Sequence, residues 1–283
     1  MKKTLIIANI FLFALTFVSC KKTDVISDTP IVGLGGDTWV PGPLDAYIKT
    51  NFTDPLNIQI KYKWDPYETK YDKNLAPVDE SKVIPVLDAV KKIWIAPYTK
   101  IAGIEFLRQF SPKQFVLIGS AEYNSDGTIT LGEAEGGKRI SLLVLNSFEK
   151  TNTAEVKRML HTIHHEFGHI LHQNILYPRE FKRLNPEWYT ATWYNTTNAV
   201  ANSQGLVTNY AKVGADDDWV ETIAFLLVEG QAAFDAIVAA NPGTPATILR
   251  TKESMVVDYF RTAYGLDFRA LQVEVKAGII GYN

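Results

Sequence analysis

The order of predicted elements in this 283-residue chain indicates an α+β fold: a small mixed or antiparallel sheet followed by a helical lobe. Three observations lead there. Stretches that alternate apolar and polar residues, the period of a half-buried strand, fall mostly in the first half of the chain. Stretches with apolar residues at helical spacing dominate the second half. Between the two sets lies a helical pattern that holds all five histidines of the chain: His161, His164, His165, His169 and His172.

The N-terminus has the form of an export signal. Lys2 and Lys3 precede an apolar run from Leu5 to Val18, shorter than the roughly 20 apolar residues that a bilayer span needs. The run ends at Phe17-Val18-Ser19-Cys20, and a small residue before a cysteine at that place resembles a bacterial lipobox. Residues 1–19 are then a signal peptide, and Cys20 is acylated and anchors the mature chain in the cell envelope. Residues 20–38, polar and glycine-rich without periodicity, read as a flexible tether. Residues 39–283 are expected to form one catalytic domain. Cys20 is the only cysteine, so disulfides and cysteine metal ligands are excluded. A formal charge of −2 provides no basic stripe for nucleic acid.

Along the domain, residues 57–64 (NIQIKYKW) alternate as a first strand. Val86, Leu87, Val90, Ile93 and Trp94 recur at helical spacing, so a helix is expected over residues 85–96, with Pro85 in its first turn and Pro97 at its end. Residues 115–123 form a second strand, Asn124-Ser125-Asp126-Gly127 is a turn, and residues 128–131 pair back as a hairpin that stops at Gly132. Residues 139–145 are a further strand. A long helix follows over residues 152–176, capped by Thr151 or Thr153, with Met159, Ile163, Phe167 and Ile170 as its apolar stripe. The aromatic-rich segment after Pro178, with Trp188, Tyr189, Trp193 and Tyr194, either lines a cleft or fills core. Residues 216–240 and 248–264 are expected as two more helices, ahead of a C-terminal tail.

The chemistry lies in the long helix. His165-Glu166-Phe167-Gly168-His169 is an H-E-x-x-H match, and residues four apart on a helix lie on one face, about 6 Å apart along the axis. Two imidazoles so placed can both reach one zinc ion at about 2.0–2.1 Å, and a carboxylate beside them can take a proton from water. A catalytic zinc takes a third protein ligand. His172 shares the face but lies about 10 Å along the axis from His165, and His161 has the same difficulty from the other side, so an outer or rim position is expected for both. His164 falls off that face. A later acidic run, Asp216-Asp217-Asp218-Trp219-Val220-Glu221, opens a helix; it either supplies the third ligand or caps the helix dipole.

The two motifs in this order resemble the gluzincin branch of the zincins, in the form of the catalytic domain of anthrax lethal factor. They are closer to a family of Bacteroidetes zinc-metallohydrolase lipoproteins encoded beside TonB-dependent nutrient importers. That family pairs an HExxH helix with a later motif similar to Y-A-x(5)-E-D-F-V/A-E; here it reads Tyr210-Ala211, five residues, then Asp217-Asp218-Trp219-Val220-Glu221. The resemblance implies a zincin-like metalloprotease domain with one zinc ion held by His165, His169 and Asp217. Asp217 is one methylene shorter than the family's Glu, so Asp218 or Glu221 remains an alternative ligand or an outer partner of a histidine. Glu166 is implied as general base and Tyr210 as a donor to the developing oxyanion. The strand over residues 139–145 is the expected edge for pairing a peptide or protein substrate. The resemblance also implies the outer membrane as the location and a TonB-dependent importer complex as a partner. The alternative is an accessory lipoprotein that keeps the fold and binds substrate without cleaving it; a third option is an amide or ester of a glycan as substrate.

Overall fold

The computed structural model describes residues 39–282 apart from Pro66, Tyr71, Gly136 and Gly137, and the backbone alone at Ala134 and Glu135. The expected signal peptide, Cys20 and the tether lie outside the described residues. Pro41–Asn283 forms one compact unit.

The chain opens with α1 (Pro43–Ile48), continued by a π turn (Lys49–Thr53). It then enters β1 (Gln59–Lys61), the core of the alternating stretch. The next helix begins earlier than expected: α2 (Glu80–Val90) takes Pro85 into its interior. Nor does Pro97 end it. A π turn (Lys91–Ile95) leads directly into α3 (Ala96–Ala102), so the chain stays helical through Pro97. After α4 (Ile104–Phe110), the expected strand over residues 115–123 divides into β2 (Gln114–Leu117) and β3 (Glu122–Tyr123). β3 pairs antiparallel with β4 (Ile129–Thr130) across the expected turn. The chain does not stop at Gly132, because β5 (Gly132–Glu135) continues as a strand before β6 (Arg139–Leu142).

The main sheet has the order β1-β2-β6-β5, with β1, β2 and β6 parallel and β5 antiparallel to β6. This corrects one expectation. β6 is interior, between β2 and β5; the edges are β1 and β5, and the edge against α5 is β5, whose short Gly-Glu-Ala-Glu sequence has no large apolar residue to mark it.

Against this sheet packs α5 (Thr153–Asn174), the histidine helix. Its cap is Asn152, whose side chain accepts from the amides of Ala154 and Glu155, rather than either threonine. The stripe of Met159, Ile163, Phe167 and Ile170 is buried, Phe167 edge-on to Trp94 at 5.2 Å and Tyr98 at 5.2 Å. Helical turns and α6 (Asn198–Asn202) lead to α7 (Ala215–Val228). The expected single helix over residues 216–240 is two: α7 and α8 (Gln231–Ala240) meet at 119°, broken at Gly230, whose φ of +84° only glycine adopts cheaply. α9 (Thr244–Tyr264) follows. The expected tail is a helix, α10 (Phe268–Tyr282), which buries Phe268, Leu271, Val275, Ile279 and Tyr282 at helical spacing.

One close approach positions the site. A Cβ on Gly168, inside the H-E-x-x-H segment, would lie 2.9 Å from Val220 Cγ1, so α7 crosses α5 where α5 has no side chain. Gly168→Ala is expected to push the helices apart and cost about 1–3 kcal/mol of stability, as overpacking does. Thermal unfolding and zinc titration of this variant check it; a wild-type melting temperature and unchanged zinc affinity would exclude the contact as a determinant.

Candidate metal centre

Two pairs of residues at i, i+4 spacing face each other across the crossing: His165 and His169 on α5, Asp217 and Glu221 on α7. The Nε2 atoms of His165 and His169 lie 3.2 Å apart. Asp217 Oδ1 is 3.8 Å from the first and 3.7 Å from the second. Tetrahedral zinc at about 2.0–2.1 Å from each ligand sets neighbouring ligand atoms about 3.3 Å apart, so these three atoms have the chemistry and nearly the spacing of a zinc site. Asp217 reaches them despite its short side chain because α7 comes in close at Gly168.

Glu221 makes different contacts. Its Oε1 lies 2.8 Å from His165 Nδ1 and 2.8 Å from His161 Nε2. His161, His165 and Glu221 also offer grouped ligand atoms. Their 2.8 Å separations are hydrogen-bond distances, shorter than the spacing of two ligands on one ion, so Glu221 is an acceptor from both rings. Thr208 donates to its other oxygen. Burial opposes ionisation of Glu221, yet His161 and His165 hold its pKa well below the ordinary carboxylate value. With Nδ1–H of His165 given to Glu221, Nε2 keeps a lone pair for metal. The other ring is held differently. His169 Nδ1 is 3.0 Å from His172 Nε2, and burial pushes the pKa of His172 down to about 4, so a neutral imidazole accepts there.

Asp218, adjacent to Asp217 but turned about 100° around α7, is fully buried, paired with the fully buried Lys252 and accepting from Tyr189 at 2.9 Å. It is not brought into the cluster. Asp216 accepts from Lys182 at 2.9 Å and from Tyr177 at the surface. His164 faces the core beside Tyr98, its pKa pushed down to about 3 by burial.

Glu166 is 8 % exposed, and its charge acts on both His165 and Tyr210. Tyr210 lies with its ring 5.5 Å from that of His165. Burial, then the charges of Asp217 and Glu166, raise its pKa above the ordinary phenol value, so it remains a donor. Thr208 also accepts from the amide of Ala211 at 3.2 Å, which ties the Tyr210 turn to Glu221. Of the aromatics, Trp193 stands edge-on to Tyr210 at 4.8 Å, whereas the Tyr189 hydroxyl points into the interior at Asp218. Thr208, Gly168 and Lys252 stood out in no sequence motif. A glycine inside an amphipathic helix was the one available signal, for Gly168.

A long helix beneath a small mixed sheet, crossed by a second helix that brings a carboxylate to two histidines, is the architecture of a metallopeptidase domain. Comparison with known families agrees. Residues 37–269 match the model of the family described as "Putative zinc-binding metallo-peptidase", and the chain belongs to that family. Among solved structures it is similar to a protein from Bacteroides caccae described as a putative zinc-binding metallo-peptidase. The two share 30% identity at a TM-score of 0.72, over 83% of this chain and 91% of that one. No curated protein matches the chain.

Proposed function

We propose that the protein is a lipid-anchored zinc metallopeptidase of the HExxH type that cleaves peptides or proteins in the cell envelope. The observation that carries this reading is the convergence of His165 Nε2, His169 Nε2 and Asp217 Oδ1 within 3.8 Å of one another. These three residues would hold a single zinc ion. Zinc bound by such ligands lowers the pKa of water towards about 7 and polarises a carbonyl oxygen.

The chain's own residues supply the rest. Glu166 takes the proton of the attacking water on its carboxylate and passes it to the departing amine. Tyr210 donates its hydroxyl hydrogen to the oxygen that gains charge at the scissile carbonyl. Glu221 and His172 orient the ligand rings from outside. The outer edge of β5 pairs with the substrate backbone; residues 139–145 cannot, because their strand β6 lies between β2 and β5. The lipid anchor and outer-membrane location rest on the apolar run ending at Cys20. Association with a nutrient importer rests on the family resemblance alone.

Metal analysis of protein purified without added zinc, together with cleavage of a mixed peptide library, tests the reading. One zinc per chain and hydrolysis abolished by a chelator and restored by zinc are expected. Absent zinc and no cleavage after zinc addition would sink it. Tyr210→Phe is expected to lower kcat by about 10–100-fold with little change in KM, since the hydrogen bond forms mainly as charge develops. An unaltered kcat would make Tyr210 a packing residue.

A further inference from the structure

We propose that the cavity on the far side of β5 is a specificity subsite for a basic substrate side chain, recognised by Glu133. This rests on the reading of the chain as a peptidase that pairs substrate with the β5 edge. Among the described residues, β5 is hydrogen-bonded on one side only, to β6. A peptide added to its free edge alternates its side chains between the two faces of the sheet. One face is that of α5: the missing Cβ of Gly132 would lie 2.0 Å from Thr162 Cγ2. The next residue, Glu133, therefore projects to the opposite face, where it stands in register with Ser141.

Both residues line a cavity of about 240 Å³ on that face. Leu75, Ile118 and Leu143 supply its apolar wall. The charged lining is Glu68, Glu122 and Glu133 against Lys70 and Arg139, an excess of one carboxylate among the described residues. The three acids differ in availability. Glu68 is bound to Arg139, and the Glu122 side chain is only 5% exposed against Lys70 and Lys73. Glu133 is 39% exposed, and its ion pair is with Lys70, itself 40% exposed and shared with Glu122.

A substrate residue opposite Glu133 would bring its Cβ to about 4.5–5.5 Å from that of Glu133, the distance of a cross-strand pair. An Arg or Lys there lays its aliphatic stem on the apolar wall and sets its cation on Glu133, where Lys70 now competes. Glu133 and Gly132 are neighbours on β5, and Gly132 meets Thr162 of α5, so the strand that carries Glu133 runs along the helix that carries His165 and His169.

The test uses the zinc-loaded full chain and peptides that differ at one position among Arg, Lys, Gln, Leu and Glu. The basic peptides are expected to exceed the Gln peptide by about tenfold in kcat/KM. Glu133→Gln should bring that ratio towards one, and Lys70→Met, which removes the competing cation, should raise it. A flat or acid-favouring profile, or a basic preference that survives Glu133→Gln, overturns the proposal. Equilibrium binding of the same peptides to zinc-loaded Glu166→Gln separates the two readings. Tighter binding of the basic peptides there, without turnover by wild type, would keep the subsite and reject the peptidase reading. No binding of any peptide would reject the subsite as well.

Discussion

Glu166→Gln is expected to lower kcat by about 10²–10⁴-fold, the usual contribution of a positioned general base, and to leave the zinc content unchanged. Gln keeps the shape of a side chain that is 8 % exposed beside His165, so the ligand geometry survives. What it lacks is a lone pair basic enough to take a proton from water. The same variant removes one of the charges that hold the pKa of Tyr210 high, so the remaining activity should also depend differently on alkaline pH. Zinc analysis and single-turnover cleavage measure the two effects apart. Activity within a few-fold of wild type would assign the proton transfer elsewhere, and loss of zinc would give Glu166 a structural role.

Lys252→Met is expected to cost about 3–5 kcal/mol of stability, because it leaves the Asp218 carboxylate buried without its cation. Both side chains are wholly inside the protein, Lys252 also donating to the Gly205 carbonyl at 2.9 Å. Burial drives the pKa of Asp218 up and that of Lys252 down, each opposed by the other's charge. A carboxyl whose folded-state pKa is raised contributes stability below its unfolded value and loses it as pH rises through the folded value. Without Lys252 that folded value climbs further. The deficit of the variant is therefore expected to be largest near neutral pH and to shrink on acidification. Asp218→Asn combined with Lys252→Met should recover most of the loss, since no unpaired charge then remains. Denaturant unfolding at several pH values checks this, and a double variant as unstable as the single one would show that packing, rather than charge, dominates. Asp218 is next to Asp217, so the single variant should also weaken zinc binding.

The residues that take part in the centre were largely readable along the chain, because periodicity expresses them directly. A spacing of four on a helix sets His165 and His169 on one face, and the same spacing sets Asp217 and Glu221 on another. The choice among the acids was not readable. Asp217 and Asp218 are adjacent and chemically identical, and a helix turns them about 100° apart. Which one meets the histidines depends on the face that α7 presents to α5. Trp219 against Tyr177 and Tyr259, and Lys252 waiting in the core for Asp218, decide that face. The edge strand was hidden for a related reason. β5 is short and polar, so its identity comes from its partner β6 rather than from an apolar alternation of its own. The C-terminal helix, by contrast, had a periodic apolar pattern from Phe268 to Tyr282 and could have been found.

By itself, then, the sequence determined an α+β order, a histidine pair with a carboxylate beside it, and an acidic helix as the source of the third donor, since these are properties of local spacing. Only the tertiary structure decided that Asp217 faces the pair, that Glu221 accepts from His165 and His161, and that β5 is the edge beside α5. Each of these is a relation between segments far apart in sequence. It is set by how closely two helices can approach at Gly168 and by which edge of the sheet, β5 rather than β1, lies against α5.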